Sequence, residues 1–147
     1  MTFTERIHGD LRQAMKDKDA LRLAALRMLA AAIKNREIEN RGPLADDVVL
    51  KVIATLIKQR EEAVELYTKG ARPELAAKEQ AEAVLLKAYL PAQLSAEELE
   101  HTVVRAIAEA GAVTAKDMGK VMKILVPLIA GRADAKQVSD AVRKKLT

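Results

Sequence analysis

The chain has no cysteine and no tryptophan, and among its 147 residues only one phenylalanine and two tyrosines. Without cysteine there is no disulfide, no thiolate nucleophile and no thiolate metal site, a composition that suits a reducing compartment. With Phe3, Tyr67 and Tyr89 as the only aromatics, the core has to be built from Leu, Ile, Val, Met and Ala, which favour packed helices over a β-sandwich. No apolar run approaches the roughly 20 residues that cross a bilayer, so no membrane partner is expected. The opening M-T-F-T-E-R-I-H-G-D lacks a basic region followed by an apolar stretch, the pattern of a secretory signal. A cytoplasmic protein is the expectation.

Groups suited to catalysis are also scarce. The only histidines are His8 and His101, far apart in the chain, and the only serines are Ser95 and Ser139. A metal site needs three or four converging ligands, and two isolated histidines do not supply them. The phosphate-binding glycine loops, the zincin helix and the nucleophile elbow have no match. Glu61-Glu62 and Glu97-Glu98 are sequence neighbours whose side chains diverge on a helix, so they read as solvated charge. An active site would have to be assembled from Lys, Arg, Asp and Glu alone. The expectation is therefore no catalytic residue, no metal, no cofactor and no small-molecule substrate.

What the chain does have is charge, unevenly placed. Residues 1–60 carry 12 Lys/Arg against 8 Asp/Glu, residues 61–110 carry 5 against 10, and residues 111–147 carry 8 against 3. A basic end attracts polyanions because neutralising phosphates releases counterions, though an ordinary solvated surface gives the same composition.

Apolar residues at three- and four-residue steps mark seven helices. The first runs from about Thr4 to Lys18 with Ile7, Leu11 and Met15 on one face. The second follows a cap at Asp19 and reaches about Arg41, where Gly42-Pro43 stops it. The third starts at Asp46 or Asp47 and closes at Gly70, its seam of Val49, Ile53, Leu56, Ala63 and Tyr67 interrupted by Arg60. Pro73 opens the fourth, which extends to about Tyr89. After the break at Leu90-Pro91, Ser95 and Glu98 form a capping box for the fifth, which ends at Gly111. Thr114 and Asp117 open the sixth, and Asp134 caps the seventh. The expected fold is all-α, with two helical bundles: four helices in residues 1–91 and three in residues 92–147.

The sixth segment, D-M-G-K-V-M-K-I-L-V-P-L-I-A-G-R-A-D over 117–134, conflicts with its own pattern. Gly inside a helix costs roughly 1 kcal/mol against Ala, and Pro about 3. Pro127 should kink or end the helix near Val126. Gly119 removes a side chain beside Lys120, and either a neighbouring helix or an RNA backbone could approach there. Lys116, Lys120 and Lys123 fall at i, i+4 and i+7. Arg132 follows in the loop, and Lys136, Arg143 and Lys144 decorate the last helix, where Lys136 also has Asp140 at i+4 as a possible partner. Together with Gly119 these are the candidate nucleic-acid contacts. No aromatic follows Tyr89, so base stacking is excluded and any RNA contact would be to phosphate, sugar and shape.

L-P-A-Q-L-S-A-E-E-L at 90–99, D-M-G-K-V-M at 117–122, G-R-A-D at 131–134 and V-R-K-K-L at 142–146 resemble the YqeY-like family. That family shares its C-terminal module with the tail of the B subunit (GatB) of the bacterial tRNA-dependent amidotransferase. The resemblance implies a C-terminal GatB/YqeY-type tail domain of three helices, with tRNA as partner. Met118, Gly119, Lys120, Val121, Met122, Gly131 and Asp134 take the places of the tail motif. The catalytic cradle of the B subunit is absent, so carbon–nitrogen ligase activity with glutamine as amido-N-donor is not expected of this chain by itself. Three readings follow: a tRNA-binding module assisting tRNA-dependent amidation or aminoacyl-tRNA metabolism, a helical protein-interaction adaptor, and an accessory component acting only with amidotransferase or aminoacyl-tRNA synthetase components.

Overall fold

A computed structural model describes residues 1–147 and is all-α, with seven α-helices, one short 3-10 turn and no strand. The chain divides into two compact units, Met1–Leu90 and Pro91–Thr147.

In the N-terminal unit, α1 (Phe3–Asp17) starts from a capping box the sequence reading missed. The Thr2 hydroxyl accepts the Glu5 N–H at 3.1 Å, and the Glu5 carboxylate accepts the Thr2 N–H at 3.2 Å. α2 (Ala20–Asn40) is capped by Asp19, which accepts the Arg22 N–H at 3.2 Å. Its stop is not Gly42 but Arg41, which takes the left-handed conformation at φ 56°. α3 (Asp46–Lys69) has Ala45 at its cap position with no side-chain bond. Asp46 instead accepts the Phe3 N–H at 3.1 Å, which ties the start of α3 to the start of α1. At the other end Gly70 takes the cap place with a negative φ of −84°, and Ala71 takes the positive φ of 56°. The helix thus closes at Gly70 as expected, and the left-handed turn follows one residue later. α4 (Pro73–Lys87) begins on Pro73, whose missing N–H costs nothing in a first turn, and ends two residues short of the expected Tyr89.

Ile7, Leu26, Leu29, Ile33, Val49, Ile53 and Leu86 form the core of this unit. Each large aliphatic side chain so buried contributes roughly 1.5–3 kcal/mol. Two polar clusters lie beside it. Tyr89 donates its hydroxyl to Asp10, which also pairs with Arg22 at 3.9 Å, while the Arg6 guanidinium sits 4.8 Å above the Tyr89 ring. Burial, and then the Asp10 carboxylate, push the Tyr89 phenol well above its usual range. The second cluster resolves the polar break on the α3 seam. Arg60 and Glu82 are both only 4% exposed, with Arg60 Nε 3.7 Å from a Glu82 oxygen. Arg60 donates to the Leu56 carbonyl at 3.3 Å and contacts the Met28 sulfur, but its buried Nε has no hydrogen-bond partner.

In the C-terminal unit, α5 (Ala96–Ala110), a 3-10 turn (Ala115–Asp117), α6 (Met118–Ile129) and α7 (Ala135–Leu146) surround Val103, Ala106, Val121, Leu125, Ile129, Val138, Val142 and Leu146. Ser95 and Glu98 form the expected capping box, and Gly111 ends α5 at φ 63°. Asp134 caps α7 through the Lys136 N–H at 3.0 Å. α6 runs through Pro127 to Ile129 instead of ending near Val126. Pro127 deprives the Lys123 carbonyl of its N–H partner, and both residues are exposed, so that carbonyl lies on the solvent side of the helix. No helix is long and apolar enough to cross a membrane.

Candidate nucleic-acid interface

The geometry of α6 follows from which of its residues are needed inside. Val121, Leu125 and Ile129 are buried, and Met118, Met122 and Ile124 pack around them. At 100° per residue, Gly119, Lys120, Lys123 and Pro127 then fall opposite that stripe, and all four are exposed. The two residues that conflict with a helix therefore lie on the solvent face and not in the packed interior. A Cβ built on Gly119 would meet no atom within 4 Å. Of the two uses the sequence leaves open for this glycine, close packing of a neighbouring helix does not occur.

Lys120 is held loosely. Its ammonium lies 3.9 Å from Asp117, with 72% of its side chain exposed. It occupies the first turn of α6, where a cation opposes the helix dipole at a cost of roughly 0.3–1 kcal/mol. The long contact to Asp117 is the local interaction that offsets this cost. Asp117 is occupied elsewhere: its carboxylate accepts the N–H groups of Val113 at 3.0 Å and Thr114 at 3.3 Å. Those two bonds, with a smaller contribution from Lys120, hold its pKa below the usual carboxylate value. Lys116 and Lys123 are exposed and have no carboxylate partner.

On α7, buried Val138, Val142 and Leu146 place Lys136 and Arg143 on a shared flank, with Lys144 on the other side of the outward face. Arg143 pairs with Asp140 at 3.4 Å. Asp140 thus faces Arg143 and not Lys136, whose ammonium is left unpaired. Lys145, outside the candidate set, reaches Glu100 at 2.8 Å and with it draws the Glu100 pKa down.

Arg132 differs from the other cations because it is built into the backbone. Its Nε donates to the Ala92 carbonyl at 3.0 Å, its N–H to the Ile129 carbonyl at 2.8 Å, and its own carbonyl accepts the Leu94 N–H at 2.8 Å. Gln93, which the sequence reading gave no role, donates to the Gly131 carbonyl at 2.7 Å, and Gly131 has φ 72°. L-P-A-Q-L and G-R-A-D, forty residues apart, are thus one clasp that holds residues 92–94 onto the turn between α6 and α7. Each motif is visible in sequence; their mutual bonding is not. No group of three or more His, Asp or Glu side chains is placed to hold a metal ion.

An all-α chain with this clasp and this outward face matches the Yqey-like protein family over residues 4–146. The chain belongs to that family. Among curated proteins it is similar to altered inheritance of mitochondria protein 41, mitochondrial, of Saccharomyces cerevisiae (strain YJM789), with 38% identity over 85 residues, 57% of this chain and 46% of the yeast protein. The protein of the same name from Eremothecium gossypii is 40% identical over 93 residues, 61% of this chain and 51% of the relative. The chain spans about half the length of the curated relatives it matches.

Proposed function

We propose that residues 91–147 form a non-catalytic RNA-binding module, with tRNA the ligand that the amidotransferase-tail resemblance suggests. The observation that carries this reading is the outward face of α6, where Lys120 and Lys123 lie beside a glycine over which no other part of the protein packs. A phosphate backbone can approach a bare Cα more closely than it can a side chain. Lys116, Lys136, Arg143 and Lys144 extend the basic surface. Arg132 contributes charge from a position fixed by the clasp. Contacts of this kind set register on phosphate and sugar without reading bases. Such a module assists tRNA-dependent amidation or aminoacyl-tRNA metabolism by holding the substrate RNA, alone or beside amidotransferase or synthetase components. The cysteine-free chain suits the cytoplasm and equally a mitochondrial setting, the compartment in the fungal relatives' names.

The test is tRNA binding by the full chain carrying Lys120→Glu and Lys123→Glu. Affinity should fall about tenfold or more, as two phosphate contacts become repulsive. Thermal stability should hold within about 1 kcal/mol, because both side chains are exposed and the gain of Lys120→Glu against the helix dipole offsets its loss against Asp117. Unchanged affinity in a folded variant removes α6 from the interface.

A further inference from the structure

A surface helix usually buries one stripe and shows water a polar face. α2 does not. Ala25, Leu26, Leu29 and Ile33 point into the core, yet the outward face carries Leu21, Ala24, Met28, Ala31, Asn35 and Ile38. Ile38 is 65% exposed and Leu21 36%, while Met28, whose sulfur touches Arg60 on its inner side, is 48% exposed. Ala31 and Asn35 are exposed and Ala24 is half-buried. These six positions step 3-4-3-4-3, the a and d positions of a heptad repeat, with one Asn at an a position. A single polar a residue fixes register and partner choice in helix pairing at some cost in stability. Along one edge of the stripe run Arg27, Lys34 and Arg41 at seven-residue intervals, all exposed and none within ion-pair distance of a carboxylate. Arg27 and Lys34 hold g positions that flank a helix–helix seam, and Arg41, the left-handed residue just past the end of α2, prolongs that edge. The other edge carries Ala32 and Glu39, the latter paired with Arg36 at 3.7 Å.

We infer that the outward face of α2 docks an amphipathic helix of a partner protein, with apolar residues facing Leu21, Met28 and Ile38, a polar group facing Asn35, and acidic residues facing Arg27, Lys34 and Arg41. Two unpaired cations in register with the seam, Arg27 and Lys34, with Arg41 at its end, supply the charge complementarity. A second copy of the chain fits poorly: antiparallel pairing sets the cationic edges against each other, and parallel pairing offers Lys34 only Glu39, which Arg36 already engages. A lipid surface fits poorly too, since alanines and an asparagine across the stripe give little apolar side chain to insert. This docking face is independent of the RNA reading.

The probe is a synthetic helical peptide with Leu at a and d, one Asn at an a position, and Glu at every e and g, compared with the same peptide carrying Lys at e and g. Titrated against the full chain, the Glu peptide should bind saturably and the Lys peptide at least about tenfold more weakly, as the flanking pairs at Arg27 and Lys34 turn from attractive to repulsive. Arg27→Glu with Lys34→Glu should reverse that preference, and Ile38→Ser should weaken both peptides. The pair Lys120→Glu, Lys123→Glu should change neither. Equal binding of the two peptides, binding of neither, or a preference untouched by the Arg27→Glu, Lys34→Glu variant overturns the inference. Self-association of the free chain abolished by Ile38→Ser would assign the face to a second copy. Binding to anionic vesicles that needs Arg27 and Lys34, with no peptide binding, would assign it to lipid; either result also overturns the inference.

Discussion

Replacing Gly119 with alanine separates packing from ligand approach. The new methyl meets no atom within 4 Å, and the residue has no positive φ to protect. Ala is the better helix former by roughly 1 kcal/mol in a helix interior. Gly119 is the second residue of α6, where part of that difference applies, so the gain should be about 0.5 kcal/mol. For a domain of this size that raises Tm by about 2–4 °C. The transition should be followed through the amide resonances of Val121 and Leu125, so that the C-terminal unit is read on its own. The same variant should bind tRNA several-fold more weakly, because the methyl occupies the space the backbone needs. A fall in Tm would show that the glycine serves packing and would refute the geometric reasoning. A rise in Tm with unaltered tRNA affinity would take Gly119 out of the interface.

The buried pair of the N-terminal unit gives a second expectation. Arg60→Met leaves Glu82 as an uncompensated buried charge and should cost about 3–5 kcal/mol in urea denaturation, whereas Arg60→Met with Glu82→Leu should be neutral or more stable than the parent, as for other buried pairs replaced by apolar residues. A double variant as unstable as the single would mean the pair itself is strongly favourable, despite its 3.7 Å separation and unpartnered Nε. Tyr89 supplies a pH dependence. Its folded pKa is raised, so the stability from the Tyr89–Asp10 bond is complete below the usual tyrosine pKa of about 10 and is lost as pH rises beyond it. Tyr89→Phe should cost about 1.5–3 kcal/mol near pH 8, and the gap to the parent should shrink in denaturant midpoints taken above pH 10; a constant gap contradicts the assignment.

The helices were legible because their ends are written in short-range chemistry. Asp19, Pro73, Ser95 with Glu98, Gly111 and Asp134 act where the sequence places them. Errors came where a residue did something its type does not advertise. Arg41 and Ala71 adopt left-handed conformations beside glycines better suited to them, and Pro127 sits on the solvent face, where the Lys123 carbonyl it leaves unbonded is on the exposed side. Arg60 on the α3 seam signalled a polar break, but its partner Glu82 looked like any other acid in an acidic stretch. In the candidate interface, the exposure of Gly119 and Lys120 follows from the positions of Val121 and Leu125. The clasp of Gln93 and Arg132 does not, because it joins two loops through backbone carbonyls that carry no sequence signal. The uncovered face of α2 was readable in principle, since its heptad spacing is local, but an apolar-rich helix reads by default as core.

The central claim, that the basic end of this Yqey-like protein holds RNA by backbone and shape, is tested most directly by salt titration of tRNA binding to the full chain, with double-stranded DNA as comparator. The account predicts saturable binding that prefers tRNA, weakens steeply with salt, and loses about two units of log–log slope in the Lys120→Glu, Lys123→Glu variant. Equal affinity for both polyanions would reduce the surface to generic basicity, and absence of tRNA binding at low salt would contradict the account outright.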